Sequence, residues 1–419
     1  MRPFHFRINH SFAVSLTCWF AFAGAVVADD TDRQTRVLVR QLTGRSESVR
    51  QNAISRLVAQ PKLAYEFLPA LTSAAIEQTG QTQPGQLVRP STVRLLYLIG
   101  SIDHTDAESV LVDLLDDDHT GIVMIAADSL GKNKHYGSIE FLKRQVDRPE
   151  FDSHYGFRFN LVRALAQMEH PDAVEFLGDL ESKLDGQLHF EVAKLLTEVN
   201  ESHFLGDQAR FERWQASKPP KIVFQKASFD SQSGNGRIRM GASQKYYDID
   251  IHAKRLMFVI DRSGSMKDYD GGMTRLERAK FELIKAIKEL PADSEFGITF
   301  FETSVRQWRE KLLIASEENK RDAIVFVERL GYGDRTNTYQ ALRETLDFDE
   351  QLEVVFLISD GKPTFGELTN PSLIVADIMH RNRFRNVNFN TIGIAVTGPA
   401  ESFLKTLAEQ SAGEYRSAN

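Results

Sequence analysis

The chain has 419 residues, a length that accommodates two or three domains. Its hydrophobic content of 42% and charged content of 26% are ordinary for globular proteins, so the composition excludes wholesale disorder. The formal net charge is −7 and no long run of Lys and Arg occurs, so nucleic acid is not expected as a partner.

The sequence opens with a basic and then apolar stretch. Arg2 and Arg7 precede a mostly apolar run over residues 11–28, which contains the single cysteine. This order is typical of a secretory signal peptide, so residues 1–28 are predicted to be removed on export to the periplasm or the extracellular space. The alternative is a membrane anchor over residues 11–28, and membrane contact is expected only in that case. The mature chain would have no disulfide and no thiolate site.

Residues 29–205 show apolar positions at helical spacing, in pairs of short helices. Equivalent positions of the first helices are 30, 38 and 31 residues apart, and those of the second helices 32 and 34; they are Val93, Val123, Leu161 and Val192, and then Ala107, Ile139 and Ala173. A helix pair repeating at this period predicts an α-solenoid. The pattern resembles HEAT repeats, whose surface is expected to contact a second protein. A loop is predicted over residues 77–86.

The helical region contains no predicted chemical site. Asp116, Asp117 and Asp118 are interpreted as a solvated turn between helices. Its histidines lie in turns or at helix ends without the spacing of metal ligands. Residues 206–253 are predicted to be a connector that includes a helix and an extended segment near residue 250.

From residue 254 to 419 apolar strands alternate with helices. The runs 256–260 and 354–358 are entirely apolar, which is typical of strands covered on both faces. The pattern predicts a doubly wound, Rossmann-like α/β domain with a parallel sheet. Such sheets bind ligands at the carboxyl ends of their strands. The fold class is therefore multidomain, an α-solenoid followed by an α/β domain.

Two acids stand at such carboxyl ends. Asp261 follows the first apolar run, and Asp360 comes two residues after the second. Ser263 and Ser265 follow Asp261, and Thr336 lies in a polar loop before a helix. Two carboxylates and three hydroxyls suit a hard cation, Mg²⁺ above all, with Mn²⁺ or Ca²⁺ as alternatives. A cation held by so few charges retains affinity for another carboxylate, so the predicted ligand is a protein that presents Asp or Glu.

These motifs together resemble the von Willebrand factor type A domain. The segments are 261–266 (Asp-Arg-Ser-Gly-Ser-Met), 336–338 (Thr-Asn-Thr) and 358–364 (Ile-Ser-Asp-Gly-Lys-Pro-Thr). They match the three parts of that family's metal-ion-dependent adhesion site. The resemblance implies that Ser263 and Ser265 bind the metal directly, that Asp261 and Asp360 act largely through water, and that Thr336 binds directly when an acidic ligand is present.

Two stretches near these motifs are open to interpretation. Arg335 stands where the family usually has small residues, and it either points to solvent, the favoured interpretation, or helps to hold an anionic ligand. Residues 267–272 are interpreted as a surface loop, with a second cation site as the alternative.

The motifs that are missing argue against an enzyme. No G-x-S-x-G surrounds Ser263 or Ser265, and no P-loop is present. Neither His252 nor His380 stands at an obvious strand end of the α/β domain, so neither is expected to act as a base. The predicted function is metal-dependent capture of an acidic protein ligand; the alternatives are a metal-independent envelope scaffold and, less favoured, a metal-dependent hydrolase.

Overall fold

The structure is a computed structural model that describes residues 27–217 and 244–418. Almost all of the predicted signal segment, its cysteine and about half of the predicted connector lie outside these ranges. The chain divides into two compact units, of which the first ends at Gln81 and the second begins at Thr82. In the described part of the chain, no helix combines the length and the apolar character that crossing a membrane requires.

The first unit is helical. Its elements are α1 (Val27–Leu42), α2 (Glu47–Val58), α3 (Pro61–Glu66) and α4 (Leu68–Gly80). Helix α1 packs against α2 and α4, and Ile54 and Leu71 are fully buried between them. Helix α4 continues to Gly80, so the loop predicted over residues 77–86 starts four residues too early. Gln78 and Thr79, part of the polar composition from which the loop was predicted, lie inside the helix.

The second unit begins with further short helices. They are α5 (Pro90–Gly100), α6 (Thr105–Asp113), α7 (Thr120–Lys132), α8 (Ile139–Arg144), α9 (Pro149–Ser153), α10 (Tyr155–Met168), α11 (Pro171–Leu180), α12 (Gly186–Glu198) and α13 (Gln208–Ser217). Helix α7 packs between α5 and α10, which stacks consecutive pairs on one another. The predicted helical region is thereby confirmed, while its assignment to the HEAT class stays a prediction.

Three histidines of this region serve as helix caps. The Nδ1 atoms of His104, His119 and His170 accept backbone N–H groups two residues ahead, at 3.1, 3.1 and 3.2 Å. Each bond satisfies a donor that the first turn of a helix leaves free. These side chains therefore begin helices.

The rest of the second unit is an α/β domain. Its strands are β1 (Gln244–Tyr246), β2 (Ile249–Ile251), β3 (Arg255–Asp261), β4 (Tyr269–Asp270), β5 (Met273–Thr274), β6 (Glu295–Phe301), β7 (Val305–Gln307), β8 (Leu313–Ile314), β9 (Val354–Ser359), β10 (Asn388–Ile394) and β11 (Tyr415–Ala418). Its helices are α14 (Arg275–Glu289), α15 (Glu317–Glu328), α16 (Thr338–Leu346), α17 (Pro371–Asn382) and α18 (Pro399–Gln410).

The main sheet has the order β11-β10-β9-β3-β6-β7, with β8 also paired to β6. Strands β11, β10, β9, β3 and β6 are parallel, whereas β7 and β8 run antiparallel to β6. Helices α14 and α15 cover one face, and α16, α17 and α18 cover the other. The predicted doubly wound α/β class is confirmed; the antiparallel edge is an addition to it.

The helical region of this unit contacts the amino ends of the central strands. Glu353, immediately before β9, is 1% exposed. Its carboxylate accepts the backbone N–H groups of Gln187 at 2.7 Å and of Arg255 at 3.2 Å. The Arg255 guanidinium lies 3.3 Å from the same carboxylate. One buried acid therefore joins the start of α12 to the starts of β3 and β9.

A second set of contacts joins α10 to the turn before β10. The Asn386 amide donates to the Gly156 carbonyl at 3.1 Å and accepts from Arg163 at 3.1 Å. A Cβ atom on Gly156 would lie 2.2 Å from the Phe384 carbonyl oxygen, so only glycine allows the two backbones to approach this closely. The helices are thus packed directly on the sheet end opposite to the carboxyl ends.

We expect Glu353→Gln to lower the free energy of unfolding, and we expect this loss of stability to become smaller as pH rises. Burial raises the pKa of Glu353 from 4.5 to about 7, against the opposing N–H group of Gln187 and charge of Arg255. Between those pH values the folded state keeps a proton that the unfolded chain has lost, so the wild-type free energy of unfolding falls by about 3 kcal/mol and then levels off. Glutamine does not titrate, so the difference between the two proteins shrinks over this window in urea unfolding.

Glu318→Gln is the matched control, because Glu318 is exposed on α15. The change in the free energy of unfolding caused by Glu318→Gln should be the same throughout this pH window. A cost of Glu353→Gln that grows with rising pH would show instead that the ionised carboxylate holds the junction.

Candidate metal centre

Asp261 is the last residue of β3 and is completely buried. Its Oδ1 accepts the backbone N–H of Ser263 at 2.8 Å, and its Oδ2 accepts the hydroxyl of Ser359 at 2.6 Å. Ser359 ends the neighbouring parallel strand β9. The carboxylate therefore sets the first turn of the loop after β3 and ties it to the end of β9.

The serine hydroxyls continue from this carboxylate toward the surface. Ser263 Oγ lies 3.3 Å from Ser265 Oγ, and Ser265 donates to Asp360 Oδ1 at 2.8 Å. Ser263 is buried, whereas Ser265 is exposed. Adjacent oxygens around an octahedral Mg²⁺ are about 3.0 Å apart, since each lies about 2.1 Å from the ion. The spacing and chemistry of this donor set thus fit a hard divalent cation.

Thr336 is buried on the loop between these two motifs. Its backbone N–H donates to Thr364 Oγ1 at 3.0 Å, and its carbonyl accepts the N–H of Thr364 at 2.9 Å. Two residues earlier, the Asp334 carbonyl accepts the N–H of Gly264 at 2.8 Å. The three loops that carry the predicted ligands are therefore hydrogen bonded to one another. The assignment of the five side chains as metal ligands stays a prediction.

The two carboxylates of the site have different surroundings. Burial raises the pKa of Asp261 to about 6, the hydrogen bond from Ser359 opposes this rise and the negative charge of Asp360 adds to it. Asp360 Oδ2 accepts from Arg275 Nη1 at 2.6 Å, and the Asp360 side chain is fully buried. Arg275 thus compensates part of the site's negative charge.

The sequence did not single out Arg275. It is the first residue of α14 and stands 85 positions before its partner Asp360. The available signal was weak. Thr274 and Glu277 form a capping box that marks the start of helix α14 at Arg275. Because this helix follows β3 in the chain, its first residue lies at the same sheet end as the ligand loops.

Within residues 267–272, Lys267 ends a short 3-10 helix, and residues 269–272 form β4 and the turn of its hairpin with β5. Asp268 lies 3.6 Å from Arg275, and Asp270 lies 3.5 Å from Arg278. Because each acid faces an arginine, the hairpin does not favour a second cation site. Nor do His, Cys, Asp and Glu side chains gather in threes suited to a metal ion anywhere in residues 27–217 and 244–418. The candidate centre differs because hydroxyls supply most of its donors.

Residues 254–417 match the family model described as the von Willebrand factor type A domain. This segment is a von Willebrand factor type A domain. It is 32% identical over 133 residues to mouse inter alpha-trypsin inhibitor heavy chain 4, covering 29% of this chain and 14% of that protein. It is 28% identical over 167 residues to human von Willebrand factor A domain-containing protein 3B, covering 39% of this chain and 12% of that protein. The chain thus matches only a small part of these relatives.

A solved structure of the von Willebrand factor type A protein from Catenulispora acidiphila is also similar. It is 21% identical, the match covers 40% of each chain, and the TM-score is 0.34. The parallel sheet, its helices on both faces and the family match establish the von Willebrand factor type A fold in this chain.

We expect Gly366→Ala to destabilise the domain more than Gly272→Ala. Both glycines have positive φ values, +108° and +95°, so alanine is strained at either position. A Cβ atom on Gly366 would lie 2.1 Å from Asn337 Oδ1, whereas nothing lies within 4 Å of one on Gly272. Asn337 is held by the Thr303 carbonyl and by Gln340. Displacing it should cost about 1–3 kcal/mol beyond the shared strain, measured by urea unfolding.

Equal costs for the two glycine variants would contradict this expectation. They would mean that the loop after Asp360 moves away from Asn337 freely, and that it does not fix the loop of Thr336.

Proposed function

We propose that this is an exported binding protein that holds one divalent metal ion and captures an acidic side chain of a protein partner. The ligands are Asp261, Ser263, Ser265, Thr336 and Asp360, and Mg²⁺ is the preferred ion, with Mn²⁺ or Ca²⁺ as alternatives. The supporting observation is the arrangement of donors: both carboxylates are buried beneath the exposed hydroxyl of Ser265. Export rests on the composition of residues 1–28.

Each residue has a distinct part in this proposal. Ser263 and Ser265 bind the ion directly, and Asp261 and Asp360 hold those hydroxyls in place and supply the negative charge. Thr336 reaches the ion from the second loop when a ligand is bound. The bound cation supplies a positive charge with replaceable water, which a ligand carboxylate neutralises better than a neutral group does.

Binding is favoured over catalysis by the surroundings of the serines. His252 stacks on Phe190 with ring centroids 3.7 Å apart, and the His380 ring packs near Phe384. Within the described residues, neither histidine hydrogen bonds to Ser263 or Ser265, so neither is placed to act as the base of a serine nucleophile. Arg275, the neighbour of Asp360, offers only N–H donors and no acceptor atom, so it is not a base for the serines either.

The helical region offers a second surface for protein contact. A groove of about 450 Å³ runs between α10 and α12 and is lined by both apolar and charged side chains, among them Val162, Leu195 and Glu198. Its mixed lining suits a protein segment better than a small apolar molecule. A protein partner at this surface is part of the proposal.

Asp261→Ala should abolish Mg²⁺ binding by the chelator-treated full chain. The wild type should take up one ion per chain in isothermal titration calorimetry, and the variant should bind at least about a hundredfold more weakly, because it loses charge and the bond that orients Ser263. Ser265→Ala provides an independent variant, since Ser265 is exposed and its truncation leaves the core intact. Asp118→Ala is the matched control, an exposed acid in the helical region.

A second arm tests the ligand. A labelled, C-terminally amidated peptide with one acid, Gly-Asp-Gly-Ser-Gly, should bind the wild type with Mg²⁺ and lose binding in the presence of a chelator. If the wild type takes up no Mg²⁺, or if the peptide binds equally with chelator, the metal-independent scaffold becomes the better account.

A further inference from the structure

Arg335 differs from the other arginines around the candidate metal centre. Arg262 lies 3.6 Å from Glu302, Arg275 contacts Asp360, and Arg278 lies 3.5 Å from Asp270. Arg335 is exposed, and its guanidinium pairs with none of the acids that the structure describes. It is therefore a cation available to a ligand from outside.

The guanidinium is nevertheless held in place. Its central carbon lies 5.4 Å from the centroid of the Phe365 ring, within cation–π distance. The Phe365 backbone N–H donates to the Thr336 carbonyl at 3.2 Å. The aromatic platform is thus hydrogen bonded to the residue that follows Arg335, which is itself a predicted metal ligand. The cation and the metal loop form one local assembly, and stacking leaves the guanidinium N–H edge free to donate.

Other charges at this edge reinforce Arg335. Lys362, on the loop after Asp360, is exposed, and so is Lys267, whose Nζ lies 5.8 Å from the Tyr332 ring centroid. In the described loops around the centre, Asp334 is the exposed acid nearest to Arg335 in the chain. Asp268 and Glu367 are exposed as well, but each faces an arginine, Arg275 at 3.6 Å and Arg343 at 3.2 Å. Arg335 and the two lysines therefore remain as the basic groups available to an acidic partner.

We propose that Arg335 is a second anchor for the ligand, so that the site prefers a protein segment with two acidic side chains close in sequence. This inference rests on the proposed function: the metal takes the first carboxylate, and Arg335 takes the second. A guanidinium binds a carboxylate through two parallel N–H···O bonds, a geometry that a lysine does not reproduce.

The spacing of the two acids follows from chain dimensions. Arg335 and Thr336 are neighbours, so their Cα atoms are about 3.8 Å apart, and an extended arginine side chain adds several ångströms. An extended peptide advances about 3.3 Å per residue. The second acid should therefore stand about two or three residues from the first. A single stacked arginine beside an acid also suits one carboxylate better than a long polyanion, which favours rows of cations.

The test compares two labelled peptides by fluorescence anisotropy with the Mg²⁺-loaded full chain at near-physiological salt. Both are C-terminally amidated; one is the one-acid peptide Gly-Asp-Gly-Ser-Gly, and the other is the two-acid peptide Gly-Asp-Gly-Glu-Gly. We expect the wild type to bind the two-acid peptide about tenfold more tightly, the gain of one charge-assisted contact. Arg335→Gln should remove this preference and weaken the one-acid peptide by only about twofold, the effect of one screened charge.

Two further variants separate stacking geometry from charge. Arg335→Lys keeps the positive charge but loses the two parallel N–H donors of the guanidinium. The tenfold preference for the two-acid peptide should therefore fall to about threefold. Arg321→Gln is the matched control: Arg321 is exposed on α15, whose start follows β8 at the amino end of β6. It should keep the full preference.

The outcomes distinguish this inference from the proposed function. Equal affinity of the wild type for the two peptides, or an equal loss for both in Arg335→Gln, overturns the second anchor while the Mg²⁺ dependence of the one-acid peptide still supports the metal site. If neither peptide requires Mg²⁺, the proposed function fails. A preference for a sulfated polysaccharide over both peptides would assign Arg335 to a polyanion and would also overturn the inference.

Discussion

The hydrogen bond between Asp261 and Ser359 is the interaction on which the candidate site depends. It joins the carboxyl ends of two adjacent parallel strands, β3 and β9, in the completely buried centre of the sheet. From β3 the chain leaves toward β6, whereas from β9 it leaves in the opposite direction toward β10. Two loops therefore diverge at this point and leave a crevice, the usual ligand position in open α/β sheets.

The cost of burying Asp261 explains the polar groups around it. A carboxylate out of contact with water is unfavourable unless hydrogen bonds or positive charge compensate it. Ser359 and the Ser263 N–H group supply two hydrogen bonds, and Arg275 compensates the neighbouring Asp360. Burial still raises the pKa of Asp261 to about 6. The site accordingly has room for further positive charge, which a divalent ion would provide.

The sequence was sufficient for features that depend on local pattern. The apolar runs before Asp261 and Asp360 predict buried parallel strands, and parallel strands bring their carboxyl ends to one edge. The family motif then adds Thr336 to the set. Strands β7 and β8 were missed because they are short and partly exposed, so they lack a continuous apolar run. The direct packing of helices on the sheet was also missed.

Contacts between residues that are far apart in the sequence produce no local pattern from which they could be predicted. Arg275 with Asp360, and Glu353 with Gln187, are joined by the tertiary fold across 85 and 166 positions. Arg335 illustrates an intermediate case. Its exposure agrees with the favoured interpretation from the sequence, but the contact with Phe365 depends on how two loops meet, and it changes what an exposed arginine at this place means.

The position of Glu353 has a mechanical consequence. A partner held at the carboxyl ends of β3 and β9, and helices fastened to their amino ends, place the two attachment points at opposite ends of the same strands. Tension between partner and helices would run parallel to the strand axes. In that direction the covalent backbones of β3 and β9 carry the load, and their interstrand hydrogen bonds are not opened one after another as they would be if a strand were peeled sideways.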